Sequence, residues 1–160
     1  MKKINYKRLI ISLAIPQLAG LLGSLANFTS LNTWYQTLEK PFFNPPNWIF
    51  GPVWTLLFIM MGIALYLVWD SEKWFGKKQR KVALQIFALQ MILNVLWSYL
   101  FFALQNSLLA FVEIIILWAV ILWNIVVFYK IKKTAGWLLL PYLLWVSFAS
   151  LLNFSLFWLN

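Results

Sequence analysis

Eleven tryptophans and a complete lack of histidine and cysteine set the chemistry open to this 160-residue chain. Without imidazole or thiolate there is no zinc site, no disulfide, no thiol chemistry and no His or Cys ligation of haem iron. The four acids are scattered: Glu39, Asp70 and Glu72 read as solvated loop charges, and Glu113 stands alone inside an apolar run. No convergent acid/base pair and no Gly-rich phosphate loop can be assembled, so hydrolysis and phosphoryl transfer are not expected. Indoles and neutral amides remain. Gln90, Asn94 and Ser98 recur every four residues, as do Trp145, Ala149 and Asn153 with Ser150 adjacent; each set stands on one face of a helix. Trp54 follows Gly51-Pro52, and its indole N–H requires an acceptor if buried. Such residues could line a pocket, with Trp54 donating to a ligand oxygen. The same stripes also suit interhelical pinning with no ligand, and Trp54 also suits an interfacial anchor, as Trp48 and Trp69 do.

The elements that must position these residues are membrane spans. Hydrophobic residues make up 63% of the chain and charged ones 11%, with a mean hydropathy of +0.80; such a chain needs lipid as its solvent. Stretches of the roughly 20 apolar residues needed to cross a bilayer occur five times, at about 9–28, 48–69, 82–104, 108–129 and 136–159, giving an all-α, polytopic five-helix membrane domain over residues 1–160. None of the five contains Lys or Arg. Alternating the connections places Lys2, Lys3, Lys7, Arg8, then Lys73, Lys77, Lys78, Arg80, Lys81, then Lys130, Lys132, Lys133 on one side and Lys40 alone on the other. The positive-inside rule assigns the rich side, and the N-terminus, to the cytoplasm. The net charge of +9 is therefore a topology signal, and no nucleic-acid partner is expected. A secretory signal peptide ending at Ser24-Leu25-Ala26 is the competing parse; the length of the apolar run and its Pro16, Gly20 and Gly23 favour a retained span.

The connections are unequal. Gln105 to Ser107 allows only a tight hairpin, whereas the first outer loop, about Thr29 to Asn47, carries Trp34, Tyr35, Phe42, Phe43 and three prolines. Hydrophobic anchors with restricted backbone suit a lid over a site, or an interfacial aromatic belt. Ala19-x3-Gly23 and Gly20-x3-Ser24 permit close helix approach within the chain or between copies. Glu113, in the second turn of the fourth span, is expected near the outer surface, where the helix dipole favours an anion.

Three segments carry a family resemblance. Trp34-Tyr35, Leu38-x-Lys40-Pro41 and Pro45-Pro46-x-Trp48-x-Phe50-x-Pro52-Val53-Trp54-Thr55 resemble the first loop and second helix of the translocator protein family, also called TspO or peripheral-type benzodiazepine receptors. Asn94-x2-Trp97-Ser98-x2-Phe101-Phe102 resembles its third helix, and Pro141-Tyr142-Leu143-x-Trp145-Val146-x-Phe148-Ala149, ending in Leu152-Asn153, its fifth. The resemblance spans nearly the whole chain, with the motifs in order.

It implies a five-helix bundle, often a homodimer, with a pocket toward the first loop that binds porphyrins and benzodiazepine- or isoquinoline-type compounds; the lack of an Arg- and Ser-rich amphipathic leader favours a bacterial plasma membrane over an organelle. By motif position Trp54 and Trp145 correspond to the tryptophans facing the ligand, Asn94 and Ser98 to third-helix pocket residues, Tyr35 to the loop closing over it and Ala149 to the small residue beside it. The animal members' proposed cholesterol motif, Tyr followed by Lys or Arg, is missing from Leu156-Phe157-Trp158-Leu159-Asn160. Three functions compete. A tetrapyrrole receptor or sensor would use indole N–H donors of Trp54 or Trp145. A porphyrin-degrading enzyme driven by light and oxygen, as reported for some family members, would use Trp54 or Trp145 as the electron-rich group. A transporter is disfavoured by the absence of internal repeats and of charge at mid-membrane. No bound cofactor is expected, and metal-free porphyrin fits better than axially ligated haem, for which weaker ligands such as Met or Tyr remain.

Overall fold

A computed structural model describes residues 4–71 and 77–160; Lys2, Lys3, Glu72 and Lys73 lie outside the described residues. Helix α1 spans Tyr6–Ser30, the short α2 Trp34–Thr37, α3 Asn47–Trp69, α4 Lys77–Ser98, α5 Ser107–Ile131 and α6 Lys133–Leu159. Five of these segments are long and apolar enough to cross a membrane: Tyr6–Phe28, Asn47–Trp69, Lys78–Ala103, Ser107–Ile131 and Lys133–Leu159. The expected five spans are all present, most of them a few residues longer than their apolar runs.

Local chemistry sets the ends. Asn5 caps α1 by accepting from the Arg8 amide, and Asn106 caps α5 by accepting from the Leu109 amide at 2.9 Å; both use the short amide side chain that suits an N-cap. The hairpin between α4 and α5 turns through Gln105, whose φ of 51° lies in the left-handed region that a β-carbon disfavours. Before that turn, the chain widens into a π-helical stretch, Tyr99–Ala103, closed by the Leu104 amide donating to the Tyr99 carbonyl at 2.9 Å. The wider turn re-aims the side chains within it, and here those include Phe101 and Phe102.

Helix α1 packs on α3 and α4, α5 on α4 and α6, and α3 on α6. Glycines make the close approaches possible: a β-carbon on Gly62 would lie 2.8 Å from the Leu13 α-carbon, and one on Gly20 would strike the Phe58 ring. The small-residue spacing on α1 thus serves contacts inside the chain. The outward faces, such as Ile10, Leu18 and Leu22 of α1 and Val112, Ile115 and Ile116 of α5, are exposed, as a lipid solvent requires. Lipid tails are as apolar as these side chains, so packing and polar pins hold the helices together. Asn124 donates to Gln90 at 2.9 Å, and Trp118 donates to Ser147 at 2.8 Å. Interhelical bonds of this kind contribute about 0.6 kcal/mol each on average in membranes.

The two ends of the bundle are tied differently. Arg8 pairs with Asp70 at 3.4 Å, joining the start of α1 to the end of α3. At the far end the Asn160 side chain accepts from the Glu39 amide at 2.9 Å and donates to the Glu39 carbonyl at 3.1 Å, fastening the segment after α2 to the end of α6. The main apolar core, with Met61, Val68, Phe87, Ile121, Phe128 and Leu139 fully covered, is distinct from a smaller cluster of Tyr35, Phe101, Ala110, Leu152 and Leu156 beneath the lid.

Candidate functional site

A cavity of about 500 Å³ lies between α1, α3, α4, the π-helical turn and α6, with α2 over it. All six residues singled out from sequence, Tyr35, Trp54, Asn94, Ser98, Trp145 and Ala149, line it. A shallower hollow of about 370 Å³ between Trp69 and Arg80, Lys81 and Leu84 contains none of them.

The two polar stripes behave differently. On α6, Trp145, Ala149 and Asn153 all face the cavity, whereas neighbouring Ser150 turns back to the Val146 carbonyl at 2.7 Å. On α4, Asn94 and Ser98 face the cavity but Gln90 does not: it is fully buried against Met61 and Asn124. Gln90 is an interhelical pin, and the site begins one turn above it. Asn94 keeps its place by donating to the Tyr142 hydroxyl at 2.9 Å, and Tyr142 in turn packs edge-on to Trp54.

The indoles divide by what their N–H groups do. Trp97 donates to Asn153 Oδ1 at 3.0 Å, and Asn153 Nδ2 donates to the Ser107 carbonyl at 2.8 Å, so one amide locks α4 to α6 and α5. Trp54 stacks on Phe58 with ring centroids 5.4 Å apart, and its N–H has no partner among the described residues and is not covered over. Trp145 differs from the expectation that it offers a donor. Its Nε1 is covered by protein with no partner among the described residues, its ring being held between Phe50 and Phe148. Trp145 contributes a ring surface, and Trp54 is the tryptophan with an N–H to give.

The lid is α2 and the chain after it. Tyr35, 4% exposed, packs against Phe101 and Phe102, and its hydroxyl donates to Asn44 Oδ1 at 3.1 Å across the loop. Burial pushes the Tyr35 phenol above its ordinary value, the Asn44 bond opposing this in part. Lys40 lies 4.8 Å from the centre of the Tyr35 ring.

Sequence reasoning missed the wall supplied by α1. Gln17, Gly20, Gly23, Ser24 and Asn27 line the cavity, and their spacing places them on one face of the helix. Polar residues at 17, 24 and 27 in an otherwise apolar span carried that signal. Glycine at 20 and 23 withdraws side-chain volume from the wall, with Ser98 Oγ 3.1 Å from where a Gly23 β-carbon would be. Glu113 also departs from expectation: it lies in the second turn of α5 but is turned inward, 5% exposed, with both carboxyl oxygens covered and unpartnered among the described residues. It is not part of the cavity lining.

Every polar side chain in the lining is neutral, from Gln17, Ser24, Asn27 and Asn47 to Asn94, Ser98 and Asn153. A cavity with aromatic walls and a few fixed amides fits a flat apolar ligand with hydrogen-bonding groups, and its volume falls in the range of about 300–1,000 Å³ usual for small-molecule sites.

Bundle and cavity together define a polytopic helical membrane protein with an internal cavity beneath α2. The chain belongs to the TspO/MBR family, whose sequence model matches residues 12–159. It is 45% identical over 157 residues to the tryptophan-rich protein TspO of Archaeoglobus fulgidus, covering 98% of this chain and 99% of that one. It is 35% identical over 127 residues to the tryptophan-rich sensory protein of Cereibacter sphaeroides, with 79% and 77% covered. It is 34% identical over 139 residues to the translocator protein of Homo sapiens, with 87% and 82% covered.

Proposed function

We propose that this protein is a membrane receptor or sensor for porphyrins, with benzodiazepine- and isoquinoline-type compounds as further ligands of the same pocket. The observation that carries the reading is the convergence of Tyr35, Trp54, Asn94, Ser98, Trp145 and Ala149, from four separate segments, on one cavity of about 500 Å³. A macrocycle lies against the Trp54 and Trp145 rings, the Trp54 N–H donates to a polar edge, and Asn94 and Ser98 meet the ring from α4. One relative bears the name tryptophan-rich sensory protein and another translocator protein; the first supports sensing over transport. The proposal includes a cytoplasmic N-terminus in a bacterial plasma membrane, supported by Lys7, Arg8, Lys78, Arg80, Lys81, Lys130, Lys132 and Lys133 at one end of the spans against Lys40 at the other. The proposal also includes a homodimer in which each chain carries its own cavity.

The test is quenching of tryptophan fluorescence by protoporphyrin in nanodiscs, in the dark and then under light, for wild type and for Trp54→Phe and Asn94→Ala. Saturable quenching weakened by the substitutions supports the pocket. Quenching that is unsaturable and equal in all three means porphyrin is only partitioning into lipid, and overturns the reading. A second reading, light-driven porphyrin degradation, draws on the electron-rich Trp54 ring in the pocket wall; porphyrin absorbance lost only under light, with a distinct product, would favour it.

A further inference from the structure

The pocket has no charge in its lining, yet a porphyrin such as protoporphyrin carries two carboxylates. Moving a carboxylate into an uncharged, largely apolar cavity is costly unless a cation or several donors meet it. The lining's amides and hydroxyls can meet a carboxylate only as neutral donors, so a cation beside the pocket is the stronger partner for the acid edge of such a ligand. All basic residues but one lie in the three segments at the far end of the spans; the exception is Lys40.

Lys40 stands on the lid. Its Nζ lies 4.8 Å from the centre of the Tyr35 ring, and Tyr35 is part of the pocket lining. Among the described residues that ammonium makes one hydrogen bond, to the Leu38 carbonyl at 3.3 Å, out of the three its N–H donors allow. Its charge is not neutralised locally: Lys40 forms no ion pair with a described residue, and the neighbouring Glu39 is held through its backbone by Asn160 while its side chain is exposed. The Lys40 side chain is half-buried and stands beside Tyr35, a residue of the pocket lining.

We infer that Lys40 is the acid-recognition residue of this site: ligands bearing carboxylates seat with their ring body against Trp54 and Trp145 and their carboxylates turned to the lid, where Lys40 meets them. The pocket then distinguishes acids from their neutral esters through a single side chain outside the cavity wall. This rests on the receptor reading above.

The experiment uses the intact protein in nanodiscs of neutral phosphatidylcholine and compares protoporphyrin with its dimethyl ester, in the dark, for wild type, Lys40→Met and Lys40→Arg. Methionine keeps the stem and removes the charge; arginine keeps the charge. Lys40→Met is expected to weaken the acid about tenfold, the size of one partly exposed charge-assisted contact, while the ester changes by less than about twofold and Lys40→Arg keeps most of the acid's affinity. Added salt should erode the wild type's acid affinity and leave the ester's alone. If acid and ester saturate the wild type and Lys40→Met shifts them equally, Lys40 only braces the lid, and the inference is overturned. It is overturned also if neither ligand responds to the substitution. Should neither ligand saturate even the wild type, the receptor reading itself falls, and the inference with it.

Discussion

Asn153 offers the most direct test of how the pocket wall is held. It is 1% exposed and bridges three helices, accepting from Trp97 Nε1 at 3.0 Å and donating to the Ser107 carbonyl at 2.8 Å. Substitution by alanine removes both bonds and leaves the Trp97 N–H without its acceptor. Ser107 loses less, because a carbonyl oxygen has a second lone pair and the helix ladder to use it. At about 0.6 kcal/mol per interhelical bond, with about 1.7 as the upper end in membranes, the loss should be about 1–3 kcal/mol. The assay is reversible unfolding in mixed micelles, run as a double-mutant cycle with Trp97→Phe, which keeps an aromatic ring and deletes the donor. Coupling between the two positions should be about 0.6–1.7 kcal/mol. Trp97 stacks on Phe101 at 5.3 Å beside the cavity, so porphyrin affinity should fall together with stability. Unfolding unchanged within about 0.3 kcal/mol and no coupling would refute the view that this amide sets the wall.

Four further outcomes follow from other parts of the structure. Gly20→Ala should destabilise the bundle by about 1–3 kcal/mol, as overpacking does, and weaken ligand binding, because the new methyl group displaces Phe58 and with it the stacked Trp54; unfolding and quenching titrations read both. Gln90→Leu and Asn94→Leu should separate stability from binding, the first lowering stability with affinity nearly unchanged and the second reducing affinity, since only Asn94 lines the cavity. Asn160→Ala, which removes the two bonds to Glu39, should speed ligand dissociation a few-fold in stopped-flow without moving the association rate as much. The buried Tyr35 phenol titrates above its ordinary value, so its contribution to lid closure is fully present below that value, about 10, and is lost as pH rises through the higher value in the closed lid. Ligand dissociation should therefore accelerate above about pH 10 in the wild type, and Tyr35→Phe should remove that acceleration.

Much of this architecture was legible because a bilayer reduces the possibilities. Five apolar runs without Lys or Arg admit few alternatives to spanning helices, and the structure extends most of them by a few residues at their polar ends. Motif order led to the six pocket residues. What was not legible depended on which way a side chain turns. The four-residue recurrence of Gln90, Asn94 and Ser98 gives one helix face, but the face passes from core to cavity between Gln90 and Asn94, and sequence spacing has no mark for that boundary. Trp145 belongs to the lining with its N–H hidden, a matter of the ring's rotation rather than of its position. The π-helical turn at Tyr99–Ala103 is likewise invisible to a count based on 3.6 residues per turn, and it is what presents Phe101 and Phe102 to the lid.

The boundary between core and cavity has a cause in volume. Around Gln90 the space is filled: Met61 lies at its amide nitrogen and Asn124 donates to its oxygen, so the Gln90 amide is engaged within the protein. One turn above, the elements facing Asn94 and Ser98 carry Gly20, Gly23 and Ala149, which contribute almost no side chain. Polar groups on one helix opposite missing volume on two others leave an amide-edged space that lipid tails fill poorly. In a membrane protein a polar stripe alone therefore marks either a pin or a pocket, and the small residues across from it decide which. The same reasoning makes Gly23→Leu the sharpest alteration of the cavity, because a side chain directed at Ser98 should abolish saturable binding, and a variant that folds and still binds porphyrin as the wild type does would place the ligand elsewhere.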